Sequence, residues 1–152
     1  MILKKDDIEQ LEQGFRRSDT LQNILETKEY TLNYIRSGQY QKAHQTSARY
    51  DKGISEFEQV GFEEWYHPPC YAPFVQDSVV KIAMKYEESI SIPLNGTILI
   101  IGSIMHVDID ASLVGNDGYV ALSEADILIS QGLDAYFVSK AIGRLPYAKP
   151  SI

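Results

Sequence analysis

The segment Arg16-Arg17-Ser18-Asp19-Thr20 puts two guanidinium groups and two hydroxyls where the pattern predicts a helix to start. Unpaired backbone N–H groups and the positive end of the helix dipole gather at such a start, so Arg16, Arg17, Ser18 and Thr20 are groups that can hold a phosphate. The same residues also read as two solvated arginines and a helix cap, because an exposed charge at a helix end needs no ligand. Three histidines, His44, His67 and His106, lie far apart, and none has a second His or Cys at ligand spacing, so no metal site is expected. Asp108, Asp110 and Ser112 have the spacing that opens a calcium loop, but Leu113 stands where the loop needs glycine, which favours a strand end with solvated carboxylates. Cys70 has no basic neighbour in sequence and reads as a buried, inert thiol. Tyr30, Tyr34, Tyr66, Tyr71, Tyr86, Tyr119 and Tyr136 could line an apolar cleft for a flat ring system, or serve the core and subunit contacts. The sequence has no Walker A loop, dinucleotide glycine fingerprint or nucleophile elbow.

The elements that must position these residues follow from periodicity. Ile8, Leu11 and Phe15 recur at helical spacing behind Asp6 and Asp7, predicting a short amphipathic helix over 6–15. A second helix starts at Asp19, with Gln22 three residues on as in a capping box, buries Leu21, Ile24 and Leu25, and ends near Thr27. Tyr30, Leu32 and Tyr34 alternate with Thr31 and Asn33, the period of a strand whose tyrosine and leucine face is buried, and Ser37-Gly38 should end it. From Tyr40 to about Ala48 the pattern is weakly helical, and 51–73, with Gly53, Gly61, Pro68, Pro69 and Pro73 among aromatic residues, reads as a long packed excursion. Val80, Ile82, Met84 and Tyr86 then share one strand face with Lys81 and Lys85 on the other. A turn at Leu94-Asn95-Gly96-Thr97 leads into a strand over Ile98 to Ile109, making an antiparallel hairpin. Gly115-Asn116-Asp117-Gly118 is another turn, and Ser123 with Asp126 should cap a short helix carrying Ala125, Ile127, Leu128 and Ile129. The tail, with Pro146 and Pro150, should run over the surface. Hairpins with helical excursions and no βαβ alternation predict a mainly β, barrel-like or α+β domain rather than a doubly wound sheet.

Composition bounds the function classes. The chain has 152 residues, 14 basic against 21 acidic side chains, a net charge of −7, 44% apolar residues and one cysteine. That length suits a single domain with a core of its own, over 1–152. One thiol forbids an internal disulfide and fits a reducing, cytoplasmic compartment. The acidic balance argues against nucleic acid as a partner. The longest apolar stretch, Ile98 to Met105, is too short to span a bilayer, and Asp6 and Asp7 stand where a signal peptide needs an apolar core.

Read in order, several segments resemble one family. Arg16-Arg17-Ser18-Asp19-Thr20-Leu21-Gln22-Asn23-Ile24, followed by Glu29-Tyr30-Thr31-Leu32-Asn33, resembles the basic, basic or polar, Asp, Thr segment and the following strand of the flavin reductase-like, FMN-binding split-barrel proteins. Thr46-Ser47-Ala48, Ser55-Glu56-Phe57-Glu58 and Gly61 continue the match, as do the hairpin with Gly102 and Asp110, Gly118 before Tyr119, and Gly132 ahead of Tyr136. The pattern resembles flavoredoxin-like members of the family. The resemblance covers Arg16 to Ile152 and is strong as an ordered series.

The resemblance implies a split barrel with Arg16, Arg17, Ser18 and Thr20 on the FMN phosphate and Thr46 and Ser47 near the flavin pocket. It implies hydride transfer from NAD(P)H to flavin, in which the cofactor carries the reactivity and the protein supplies position and electrostatics. It also implies a homodimer. Catalytic residues are not assigned by it: where related reductases carry Asp-His before the long strand, this chain has Gly96-Thr97. Family members have several barrel strands before the phosphate segment, whereas here only residues 1–15 precede it. The expectation is therefore a member shortened in its first barrel half, with exposed strand edges and an obligate dimer or higher assembly. Two functions stay open: an FMN-dependent oxidoreductase, or a shortened, non-catalytic dimeric scaffold that acts in binding.

Overall fold

The computed structural model describes residues 19–150. Arg16, Arg17 and Ser18, and the helix expected over 6–15, lie outside the described residues. Helix α1 (Asp19–Thr27) buries Ile24 and half-buries Leu21 and Leu25, the expected stripe. Gln22 does not reach back to Asp19 as a capping box would require; its Nε2 donates to Glu26 Oε1 at 2.9 Å. The helix stops where Lys28 turns left-handed, with φ of 62°, while its N–H still donates to the Ile24 carbonyl.

Strand β1 (Glu29–Tyr34) follows, then a 3-10 turn (Ser37–Gln39), α2 (Tyr40–Gln45) and α3 (Glu56–Val60). The excursion carries a short antiparallel pair, β2 (Glu64–Trp65) with β3 (Phe74–Val75), and leads into the long hairpin of β4 (Val80–Ile92) and β5 (Thr97–Ile109). β1 lies antiparallel along β4, so the three form one sheet in the order β1-β4-β5. A last pair, β6 (Leu128–Gln131) with β7 (Ala135–Val138), stands apart from it. The mainly β organisation is the one expected; the strands fall into three separate hydrogen-bonded sets, and no closed barrel forms among the described residues.

Burial on the sheet differs from that expected from alternation: the start of β4 is covered on both faces, while Leu32 and Tyr34 of β1 and much of β5 stay exposed. In register, Thr31 faces Ala83 and Asn33 faces Lys81, while His106 and Asp108 continue the row on β5. This was the face expected to be polar and open, yet the excursion lies on it. Phe74 and Ala83 are fully buried there, with Cys70, Trp65 and Ala72 against them. Asn33 and Thr31 serve the excursion's backbone: the Val75 N–H donates to Asn33 Oδ1 at 3.0 Å, and Thr31 Oγ1 donates to the Pro73 carbonyl at 2.6 Å. Unpaired backbone groups of a long irregular segment need such partners once covered. On the opposite face, Val80 and Ile82 pack with Val79, Ile109, Leu113, Leu122, Ala125 and Ile127, whereas Leu32 and Tyr34 of β1 remain partly exposed.

Two register shifts along the hairpin also break the period of two: Met105 on β5 and Glu87 on β4 have no opposite residue. Beyond β5, Asp110 Oδ1 accepts from the Ser112 N–H at 2.8 Å and caps a 3-10 turn (Ala111–Leu113), so the Asp108-Asp110-Ser112 run is a strand end followed by a turn. The helix expected after Ser123 is absent. A 3-10 turn (Leu122–Glu124) is followed by Asp126 at φ of 52°, and Ile127 then bridges to Arg36 and leads into β6. The long-range pairing with the end of β1 decides this segment against its local capping pattern.

Candidate functional site

The end of β1 and the start of β6 come together through the Arg36–Ile127 bridge, the Leu128 N–H on the Ile35 carbonyl at 2.8 Å, and Ser37. The Ser37 hydroxyl lies 2.8 and 2.7 Å from the two Asp126 carboxylate oxygens. Beside this junction is a cavity of about 620 Å³ walled by Tyr34 and Ile35 of β1 and its end, Ala43 of α2, Leu122, the 127–130 segment, Tyr136 of β7 and Ser139. Its walls are mostly apolar, and the residues with polar side chains are few: Asn33, Tyr34, Ser130, Tyr136 and Ser139. Asn33 is already engaged, through Oδ1 with Val75 and through Nδ2, which donates to Thr31 Oγ1 at 2.9 Å. Apolar walls with a small number of polar groups are the usual build of a small-molecule site, and this volume falls in the range such sites occupy.

Tyr136 is fixed by helix α2. Its hydroxyl lies 2.9 Å from His44 Nδ1, the His44 ring meets its edge at 5.7 Å, and Tyr40 packs at 6.0 Å between ring centres. One end of the phenol is thus tied to an imidazole while its ring forms part of the wall. The expected pocket hydroxyls follow directly after the same helix. Thr46 Oγ1 donates to the Ala43 carbonyl at 2.7 Å, and Ser47 Oγ donates to the His44 carbonyl at 2.7 Å. Both hydroxyls bond carbonyls near the end of α2, the same helix that supplies Ala43 to the wall and His44 to Tyr136. Thr20 is exposed in the first turn of α1.

Of the other tyrosines singled out by sequence, Tyr34 shares the cavity wall, and the rest go elsewhere. Tyr30 packs across β4 against Gly102, Lys28 Nζ sits 4.7 Å above the Tyr86 ring, and Tyr66 donates to Glu64 at 2.8 Å, which raises its hydroxyl pKa. Burial pushes the Cys70 thiol up. His67 and His106, distant in sequence, stack at 4.3 Å with Trp65 next in the row, but no group of three metal-ligating side chains converges among the described residues. Among those residues, no helix is long and apolar enough to cross a membrane.

The overall fold is shared by solved structures. A protein from Shewanella frigidimarina NCIMB 400, assigned as a flavin reductase with a split barrel domain, is 42% identical over 86% of this chain, with a TM-score of 0.83. The chain covers 66% of that protein, just under two thirds of its length. Flavoredoxin of Desulfovibrio vulgaris (Miyazaki F) has a TM-score of 0.73 at 20% identity, covering 87% of this chain and 70% of its own. Component B of nitrilotriacetate monooxygenase from Bacillus cereus has 0.74 at 18%, covering 85% and 65%. At these lower identities the likeness is one of fold. The sequence pattern of the Flavin reductase like domain matches residues 11–123, and the chain belongs to that family. No curated protein matches it.

Proposed function

We propose that this protein is an FMN-binding, flavin reductase-like oxidoreductase that takes electrons from NAD(P)H, working as a cytoplasmic homodimer. The observation that carries the reading is that the Arg16-Arg17-Ser18-Asp19-Thr20 segment, whose last two residues stand in the first turn of α1, lies inside the region matching the family. In this reading Arg16, Arg17, Ser18 and Thr20 hold the phosphate, and Thr46 and Ser47, at the end of the helix that lines the cavity, border the flavin pocket. The cavity suits a planar ring: it is large enough, mostly apolar, and carries the anchored Tyr136 hydroxyl as a hydrogen-bonding group. Bound flavin supplies the hydride chemistry; the chain's own residues position it and shield it from water.

The test is colour. Purified protein titrated with FMN is expected to show the shifted absorbance of bound flavin. Arg17→Ala and Thr20→Ala are each expected to weaken that binding by about tenfold or more, the effect of losing a hydrogen bond to a charged group. A second reading, a non-catalytic scaffold of the same family, has one observation in its favour: the Thr46 and Ser47 hydroxyls already bond α2 carbonyls. No bound flavin under saturating FMN would decide for it.

A further inference from the structure

Residues 139–150 form an arm without regular secondary structure, yet it is held in place. Arg144 Nη2 meets Asp117 Oδ2 at 2.5 Å, and its guanidinium carbon lies 4.3 Å above the Tyr119 ring, so the middle of the arm is tied to the Gly115–Gly118 turn. The pairing holds the Asp117 carboxyl below the usual carboxylate range. Around this tie the arm displays its apolar side chains to solvent: Ile142 is 105% exposed, Leu145 90% and Tyr147 89%. Side chains so exposed do nothing for the chain's own core, and three of them on one positioned segment form a display that singly scattered surface residues do not. Pro146 lacks the N–H that a continuous ladder needs, so the arm is suited to dock by side chains more than by strand pairing.

The same chain carries a matching surface. Among the described residues β5 is the last strand of its sheet, and Ile98, Leu99, Ile101, Ile104, Met105 and Val107 along it are all exposed, Ile104 the most at 64%. Residues 98–105 include no charged side chain, so two copies can meet along this strip despite a net charge of −7 each. We infer that the arm of one copy docks on the β5 strip of a second copy, reciprocally, so that each chain gives an arm and receives one. Such a pair closes at two copies because the exchange is reciprocal about a two-fold axis, which uses up both arms and both strips. The areas suffice. About 100 Å² for each aliphatic side chain and about 150 Å² for the tyrosine, taken for two arms and the surfaces they cover, approach about 1,400 Å², the size of a stable interface.

This inference rests on the homodimer reading above and is tested so that the two can fail separately. Sedimentation velocity at micromolar concentration is expected to give twice the 17.2 kDa chain mass for the native chain. Leu145→Asp, which changes a side chain outside the core, is expected to raise the dimer dissociation constant at least tenfold while the far-ultraviolet circular dichroism stays unchanged. Ile104→Lys is expected to do the same from the receiving side. Mixing the two variants is expected to restore a dimer, because one arm then meets a native strip and the other brings an aspartate to a lysine. Should Ile104→Lys unfold the chain, a disulfide between Leu145→Cys on one copy and Ile104→Cys on another gives the same information. A monomeric native chain would overturn the homodimer reading and this inference together. A native dimer that Leu145→Asp leaves intact, or variants that neither complement on mixing nor crosslink, would overturn this inference alone. Flavin absorbance, read in parallel, reports on the cofactor reading independently.

Discussion

Gly102 on β5 is the position where the sheet leaves least room. It stands opposite Tyr86, beside the register shift that skips Glu87. A Cβ built there would lie 2.4 Å from the Tyr30 hydroxyl, 3.1 Å from the Tyr30 ring and 2.8 Å from the Lys85 backbone carbonyl. Normal carbon to oxygen contacts need well over 3 Å, so Gly102→Ala must displace both. The tyrosine can swing, but Lys85 is paired to β1 on one side and β5 on the other, and its carbonyl cannot retreat without bending a central strand. Overpacking of this kind costs about 1–3 kcal/mol, and a rigid second obstacle puts the expected loss near about 2–3. For a chain of this size that corresponds to a melting temperature lower by about 4–12 °C. The obstacles can be separated. Tyr30→Phe removes the atom at 2.4 Å and leaves the carbonyl, so in that background Gly102→Ala should cost about 1 kcal/mol less. Thermal and urea unfolding of the four proteins, followed by circular dichroism, measures both quantities. A Gly102→Ala protein that melts within about 1 °C of the native one would refute the packing argument, and zero coupling to Tyr30 would refute the assignment of the tyrosine as half of the obstacle.

Two further outcomes follow from the excursion face. Phe74→Ala empties the space among Cys70, Ala83 and Trp65, and is expected to cost about 3–5 kcal/mol in urea unfolding, because Phe74 is wholly buried and Ala83 is too small to fill the void. The Cys70 thiol, raised by burial, should resist alkylation in the native state and react at the rate of a free thiol once unfolded. The sign of its linkage is fixed: a thiol with a raised pKa favours the neutral form, so its share of stability is full below the ordinary thiol range and falls as pH rises through the native value. Rapid labelling of the native chain at neutral pH would contradict both statements.

Elements with a strong local signal were legible in the sequence. The stripe of Leu21, Ile24 and Leu25, the alternation in β1, and the hairpin around Asn95-Gly96 all stand where the pattern predicts them. What alternation could not tell was which face is covered, since Thr31, Asn33 and Lys81 look like a solvent face until an excursion some forty residues away in sequence is laid over them. Ile127-Leu128-Ile129 carries no period to separate a buried helix from a strand, and Ser123 and Asp126 tipped the local reading toward a helix. The bridge to Arg36 decides otherwise.

The site was harder for the same reason. Anion-binding chemistry can be read from a few adjacent residues, because a helix start and its side chains are local. The cavity cannot, because its walls come from the end of β1, from α2 and from the 122–139 stretch, and its Tyr136 phenol is anchored by His44, 92 residues away. No spacing rule joins such a pair. Their contact depends on β6 reaching the end of β1 through Ile127, with β7 paired alongside β6 and carrying Tyr136. The segment whose secondary structure the sequence misassigned is therefore the segment that builds the cavity. A helix over 125–129 would not make the Arg36–Ile127 bridge, and without β6 there, the partner strand of Tyr136 and one wall of the cavity would both be lost.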